Sequence, residues 1–133
     1  MFDKAVTWGC TIAEAHELVD FLVEQKFVDE RRYTEAFVKD KLRFNKWGRM
    51  KMTYMLHAQN IDRDIVMSVL SEIDDTEYNQ ILISELQKKF KSIRQPSTKQ
   101  NYMETKGKLF RFAISRGFES EIVNKAISKI IDL

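Results

Sequence analysis

One pattern, written twice, constrains this chain more than any other feature. Residues Lys51 to Val66, KMTYMLHAQNIDRDIV, align without a gap on Lys108 to Val123, KLFRFAISRGFESEIV. Lys51 pairs with Lys108, Met52 with Leu109, Met55 with Phe112, Ile61 with Phe118, Asp62 with Glu119, Ile65 with Ile122 and Val66 with Val123. Upstream, Asp29 pairs with Asp74, Tyr33 with Tyr78 and Phe37 with Leu82, the second copy having a longer loop around Pro96. Within each copy the apolar residues return every three or four positions, as on one side of a helix, and no segment sustains the alternation of a strand. A unit of three short helices buries little by itself, so such units gain stability by stacking on their neighbours. The expected fold is all-α, built of tandem three-helix repeats.

Local signals place the helices. Thr11 and Glu14 form a capping-box pattern, and a first helix is expected over about 12–25, with Leu18, Phe21, Leu22 and Gln25 on one face and Lys26 in its last turn. Asp29 is expected to cap a second helix reaching about Asn45. In it Tyr33, Ala36, Phe37 and Phe44 share a face, with Val38 and Leu42 well to the side, so that it touches neighbours on two sides. Gly48 marks a turn before a helix with Met52, Met55 and Leu56, the methionines read as core fillers. Asn60 suits a left-handed helix end, and Asp62 a cap for the stripe Ile65, Val66, Val69 and Leu70.

The second copy is expected to follow suit. Asp74 and Asp75 open a helix with Tyr78, Ile81, Leu82, Leu86 and Phe90 inward, and Pro96 breaks it. Ser97 and Gln100 resemble a second capping box before the helix of Leu109, Phe110, Phe112 and Ile114. Gly117 ends that helix, and a last one buries Ile122, Val123, Ala126, Ile127 and Ile130. Leu18, Phe21 and Leu22 fall in register with Val66, Val69 and Leu70. The expected division is therefore 1–27 as the remnant of a first unit, 28–72 as a second and 73–133 as a third.

Composition narrows the function. The chain has 133 residues, 44% of them apolar and 32% charged, with four glycines and one proline, which fits a helical domain with a charged surface. The net charge is only +2, so any anion-binding surface has to come from local segregation. Lys39, Lys41, Arg43, Lys46, Arg49 and Lys51 crowd one stretch with only Asp40 against them, and Phe44 and Trp47 stand among them. Cations interleaved with aromatics can hold phosphates and stack on planar groups, although charge runs are also ordinary solvated helix faces. A second basic run holds Lys88, Lys89, Lys91 and Arg94.

Signals for catalysis are sparse. Lys106-Gly107-Lys108 is no phosphate-binding loop. His16 and His57 are far apart, with His16 read as a surface histidine rather than a metal ligand. The single cysteine, Cys10, reads as a small buried apolar side chain, and one cysteine cannot form an internal disulfide. No enzyme activity, cofactor or metal is expected. No run reaches the roughly 18 apolar residues of a membrane span, and the first ten residues do not resemble a secretory signal. A soluble cytoplasmic monomer is the expectation.

The segment FVDERRYTEAFVKDK at Phe27 to Lys41, then Lys46-Trp47-Gly48 before a helix, then Asn60-Ile61 before another, resembles the RecX family of regulatory proteins. KLFRFAISRGF at Lys108 to Phe118 is similar to that family's final repeat motif, and the resemblance runs from about Ile12 to the C-terminus. It implies a curved, elongated array of three-helix repeats. It also implies a protein that binds the RecA recombinase and its nucleoprotein filament, inhibits strand exchange, ATP hydrolysis and coprotease activity, and binds DNA. Three complete repeats are usual in the family. This chain departs from that pattern by lacking the leading helix and most or all of the second helix of the first, as a fragment, an internal start or a short form would.

On that resemblance the contacting residues are expected to be Arg31, Arg32, Lys39, Lys41, Arg43, Lys46, Trp47, Arg49 and Lys51. Lys88, Lys89, Lys91 and Arg94 would form a second patch, both facing the filament or single- or double-stranded DNA without regard to sequence. The competing reading is a sequence-independent DNA-binding module without a recombinase partner.

Overall fold

The structure is a computed structural model, described here for residues 12–93 and 98–131. Among these it holds six helices and no strands: α1 Ile12–Arg43, α2 Arg49–Ala58, α3 Arg63–Ser71, α4 Asp75–Ser92, α5 Lys99–Ser115 and α6 Ser120–Ile130. The C-terminal half of α1 packs with α2 and α3, and α4 packs with α5 and α6. In both trios the first helix lies chiefly against the third, so the repeat in the sequence is a repeat in space.

The two copies end their middle helices in the same way. Asn60 has φ 61° and Gly117 has φ 95°, both left-handed. After α2 the Ile61 N–H donates to the Leu56 carbonyl and the Asn60 N–H to His57; after α5 the Phe118 N–H donates to Ala113 and the Gly117 N–H to Ile114. These are paired Schellman caps. Asp62 then accepts from the Asp64 N–H at 2.8 Å, and Asp74 from the Glu77 N–H at 3.3 Å. Since asparagine still bears some left-handed strain, Asn60→Gly is expected to stabilise the fold by a few tenths to about 1 kcal/mol in a denaturant titration.

Two sequence expectations need correction. The helix over 12–25 and the one from Asp29 are a single helix of 32 residues, α1. Asp29 sits mid-helix, and Lys26 pairs with Glu30 one turn on, at 3.8 Å, instead of closing a helix. Without glycine or proline between them, continuing the helix costs less than ending it and nucleating another. The buried face of α1 also differs. Val38 and Leu42 are the core residues, 3% and 4% exposed, whereas Phe44 is 80% exposed and Ala36 and Tyr33 also face solvent. Thr34 is buried with Val38 and Leu42, and Phe37 packs partly buried beside the core, with α3 as the main neighbour of α1 and α2 as a lesser one.

Smaller differences follow. Leu18, Phe21 and Leu22 are 44%, 54% and 44% exposed rather than buried. Ile114 is exposed, and Ala113 and Thr105 take the inner face of α5 with Leu109. The cap of α5 is Thr98, which accepts from the Asn101 N–H at 3.1 Å. Thr11, Cys10, Ser97 and Pro96 lie outside the described residues.

One core runs through both trios, from Val38, Met52 and Leu56 through Ile65 and Val69 to Tyr78, Leu86, Phe118 and Ile127. The trios meet where the start of α2 lands on the α5–α6 turn. The Gly48 N–H donates to the Arg116 carbonyl at 2.7 Å and the Met50 N–H to the Gly117 carbonyl at 2.9 Å. Both glycines are required there. A Cβ on Gly48 would stand 2.3 Å from the Gly117 carbonyl carbon and oxygen, and a Cβ on Gly117 would stand 2.4 Å from the Lys51 Cβ.

Candidate nucleic-acid and filament interface

The cations named from the sequence separate into three groups. The first is structural. Arg49, at the start of α2, reaches Glu119 and Asp75 with separate guanidinium nitrogens, each at 2.9 Å, and lies 4.0 Å over the Tyr78 ring. Tyr78 Oη accepts from the Arg49 backbone N–H at 2.9 Å and donates to Glu119. Burial opposes the charge on Arg49, but the two carboxylates outweigh it and its pKa is raised. Burial, aided by Glu119, likewise pushes the Tyr78 hydroxyl well above its ordinary value. Glu119 makes no cap for α6, since its carboxylate is spent on this junction.

A second group lies among carboxylates of α1, the end of α3 and the start of α4. Arg31 pairs with Glu72 and with Glu35, and donates to the Ser68 hydroxyl at 2.9 Å. Arg43 meets Glu77 at 2.9 Å, which raises its pKa by hydrogen bond and charge. Lys39 and Arg43 line a cleft between α1 and the start of α4 with Glu35, Glu72, Asp74 and Glu77. Positive charge here is largely answered by carboxylates, and Arg32 points to solvent nearby.

The third group has aromatic partners. Lys41 and Lys51 stand 5.1 and 4.5 Å from the Trp47 ring, Lys41 also reaching the Phe37 ring at 5.7 Å. Phe37 meets Trp47 edge-on at 6.3 Å. Lys46, at φ 59°, turns the chain out of α1, and the Trp47 N–H returns to the Lys41 carbonyl at 3.0 Å. Phe44 and Tyr54 flank this cluster in sequence with open faces. Lys41 lies at the edge of contact with Asp40, 4.0 Å away.

The second basic run divides too. Lys88 turns back to Glu85 at 3.7 Å, Lys91 is exposed, and Arg94 lies outside the described residues. Lys89 stands 5.6 Å from the Phe112 ring, with Arg116 5.0 Å from the same ring. Lys89, Ser92, Ile93, Lys108, Arg111 and Phe112 line an open groove of about 610 Å³ between α4 and α5. Sequence reasoning left Lys108, Arg111 and Arg116 out of the site. The register of Lys108 on Lys51 was the available signal.

Among the described residues no cluster of His, Cys, Asp or Glu could hold a metal ion, and no helix is long and apolar enough to cross a membrane.

Stacked three-helix units, with cations gathered on aromatic rings, define a helical-repeat protein. Residues 29–70 match the second three-helix domain of RecX and residues 75–127 the third. The chain belongs to the RecX family of regulatory proteins. It is 32% identical over 114 residues to the regulatory protein RecX of Clostridium botulinum (strain Eklund 17B), covering 86% of this chain and 52% of that one. It is 28% identical over 128 residues to that of Clostridium perfringens (strain 13), covering 96% and 58%, and 23% identical over 122 residues to that of Lactobacillus johnsonii, covering 92% and 44%. The chain thus spans about half the length of the curated relatives it matches. No solved structure matches it.

Proposed function

We propose that this chain is a non-enzymatic modulator, in the main an inhibitor, of the RecA recombinase in the bacterial cytoplasm, acting in recombination, DNA repair and the SOS response. It would bind the RecA–DNA filament as a monomer. Its place in the RecX family carries the reading. The arrangement of cations supports it. A filament groove exposes protein and phosphate backbone, and a helical array carrying Lys41, Lys46 and Lys51 around Trp47 offers charge and stacking surface to both. Binding there would block filament growth or favour a filament state that does not turn over ATP.

Sequence-independent DNA binding without a recombinase is the alternative, favoured by the second aromatic-backed cation group at Phe112. One experiment separates the two. The chain is added to preformed RecA filaments on single-stranded DNA, ATP hydrolysis is followed, and DNA alone is titrated in parallel. Inhibition is expected well below the concentration that coats free DNA. Inhibition only where DNA is saturated would move the function to the alternative.

The structure also selects the residues to change. Reversing Arg43 or Arg49 would break ion pairs within the fold. Reversing Lys46 and Lys51 together changes charge without breaking any ion pair among the described residues, and is expected to weaken filament inhibition on the order of tenfold or more at moderate salt. Unchanged inhibition would remove the Trp47 cluster from the interface.

A further inference from the structure

The first half of α1 stays open where its sequence is apolar. Leu18, Phe21 and Leu22 hold the register of Val66, Val69 and Leu70. On α3 those three are 0%, 3% and 8% exposed, whereas on α1 their counterparts are 44%, 54% and 44% exposed. Val23 and Phe27, on the opposite side of the same turns, are 62% and 51% exposed. A helix that is apolar on both sides belongs inside a structure, and an exposed patch of this extent marks a contact surface.

One line of residues on that half has a definite period. Leu18, Phe21, Gln25, Val28 and Arg32 follow one another at alternating spacings of three and four, the seam of a two-helix coiled coil. Leu22 borders the seam. Val28 is 38% exposed, and Gln25 and Arg32 are exposed as well. Among the described residues Arg32 meets no carboxylate within ion-pair distance, unlike its neighbour Arg31, which pairs with Glu35 and Glu72.

Charge selects the orientation of a partner helix. The helix carries Glu14, Glu17, Asp20 and Glu24 in its first turns with no lysine or arginine among them, and Lys26, Arg31 and Arg32 follow. A parallel copy would lay acid on acid. An antiparallel copy lays the acidic turns against the cationic ones and opposes the helix dipoles. In that alignment Leu18 packs on Val28 of the second copy and Phe21 on its Gln25, while Arg32 reaches the acidic turns around its Glu17. The contact is its own complement, as two-fold symmetry requires. Two such seams bury on the order of 1,000 Å² in all, the size of a weak but specific dimer. We propose that the N-terminal half of α1 is a dimer contact, and that its occupant is the same face of a second copy of this chain. The dimer is a state of the free chain. It goes beyond the filament function, in which a single copy is bound, and stands without it.

The test uses the full chain and no recombinase. Its mass is followed by sedimentation equilibrium as a function of concentration, and the wild type is expected to pass from monomer to dimer across the micromolar range. Phe21→Lys, on the seam, is expected to weaken the dimer on the order of a hundredfold or more. Val23→Lys, on the opposite side of the helix, is expected to stay within about fivefold of wild type. Both put the same charge on an exposed residue of one helix, and circular dichroism checks that the helix persists in each. Arg32→Glu is expected to weaken the dimer several-fold at low salt and less at high salt. A wild type that stays monomeric through that range would overturn the proposal and leave the face to a different protein. Equal losses in Phe21→Lys and Val23→Lys would overturn it, and so would an Arg32→Glu chain that dimerises as tightly as wild type at low salt.

Discussion

Gly48→Ala is expected to destabilise the protein by about 3 kcal/mol or more, and to lower its melting temperature by roughly 10 °C. The added methyl group would stand 2.3 Å from the Gly117 carbonyl carbon and oxygen and 2.4 Å from the Phe118 nitrogen. All three are backbone atoms within a helix cap, so no side chain can rotate aside to make room. Relief requires the start of α2 to withdraw, which breaks the bonds from Gly48 to Arg116 and from Met50 to Gly117. It also pulls Arg49 off Tyr78 and Glu119. Gly117→Ala attacks the same seam from the other side, with the further strain of φ 95°. Both variants should become sensitive to protease near the α1–α2 loop at temperatures where the wild type resists. A Gly48→Ala protein melting within about 2 °C of wild type would show that the seam contributes little.

This seam was not legible in the sequence, and the reason is physical. The caps at Asp62 and Asp74 and the left-handed ends at Asn60 and Gly117 could be read because each depends on residues within a few positions. The stripe of α3 could be read because its buried residues, Ile65, Val66, Val69 and Leu70, return at helical spacing within one short segment. Gly48 could be read only as a turn, since its close contact is with Gly117, far along the chain. Arg49 belonged to a basic run by composition, and only folding brings Glu119 and Asp75 to it. The α1 error had the opposite origin. Asp29 carries a cap signal that is locally sound, but an uninterrupted helix former on either side overrides it. The basic run was therefore visible as a run, while its division into paired and unpaired cations was not.

Arg49→Ala is the second large effect, an expected loss of about 2–3 kcal/mol. The Arg49 side chain is 21% exposed and that of Glu119 29%, so the pair is only partly screened by water. Removing it leaves Glu119 with Tyr78 alone, strips the cation from the Tyr78 ring, and frees Asp75, whose own exposure makes its share small. Arg49→Lys should recover less than half the loss, because one ammonium cannot span two carboxylates while lying flat on a ring. A double-mutant cycle with Glu119→Gln is expected to give a coupling of about 1–2 kcal/mol, and a coupling near zero would reduce the junction to packing alone. Tyr78 adds an alkaline signature. Its hydroxyl is held protonated in the fold, whereas an unfolded tyrosine ionises near about pH 10. The stability this contributes is complete below that value and declines as pH rises above it, because ionisation then favours the unfolded chain. Tyr78→Phe should lower stability at neutral pH by removing the bonds to Arg49 and Glu119, yet flatten the decline above pH 10. Parallel wild-type and Tyr78→Phe curves between about pH 9 and 11 would mean that Tyr78 ionises as freely in the fold as out of it.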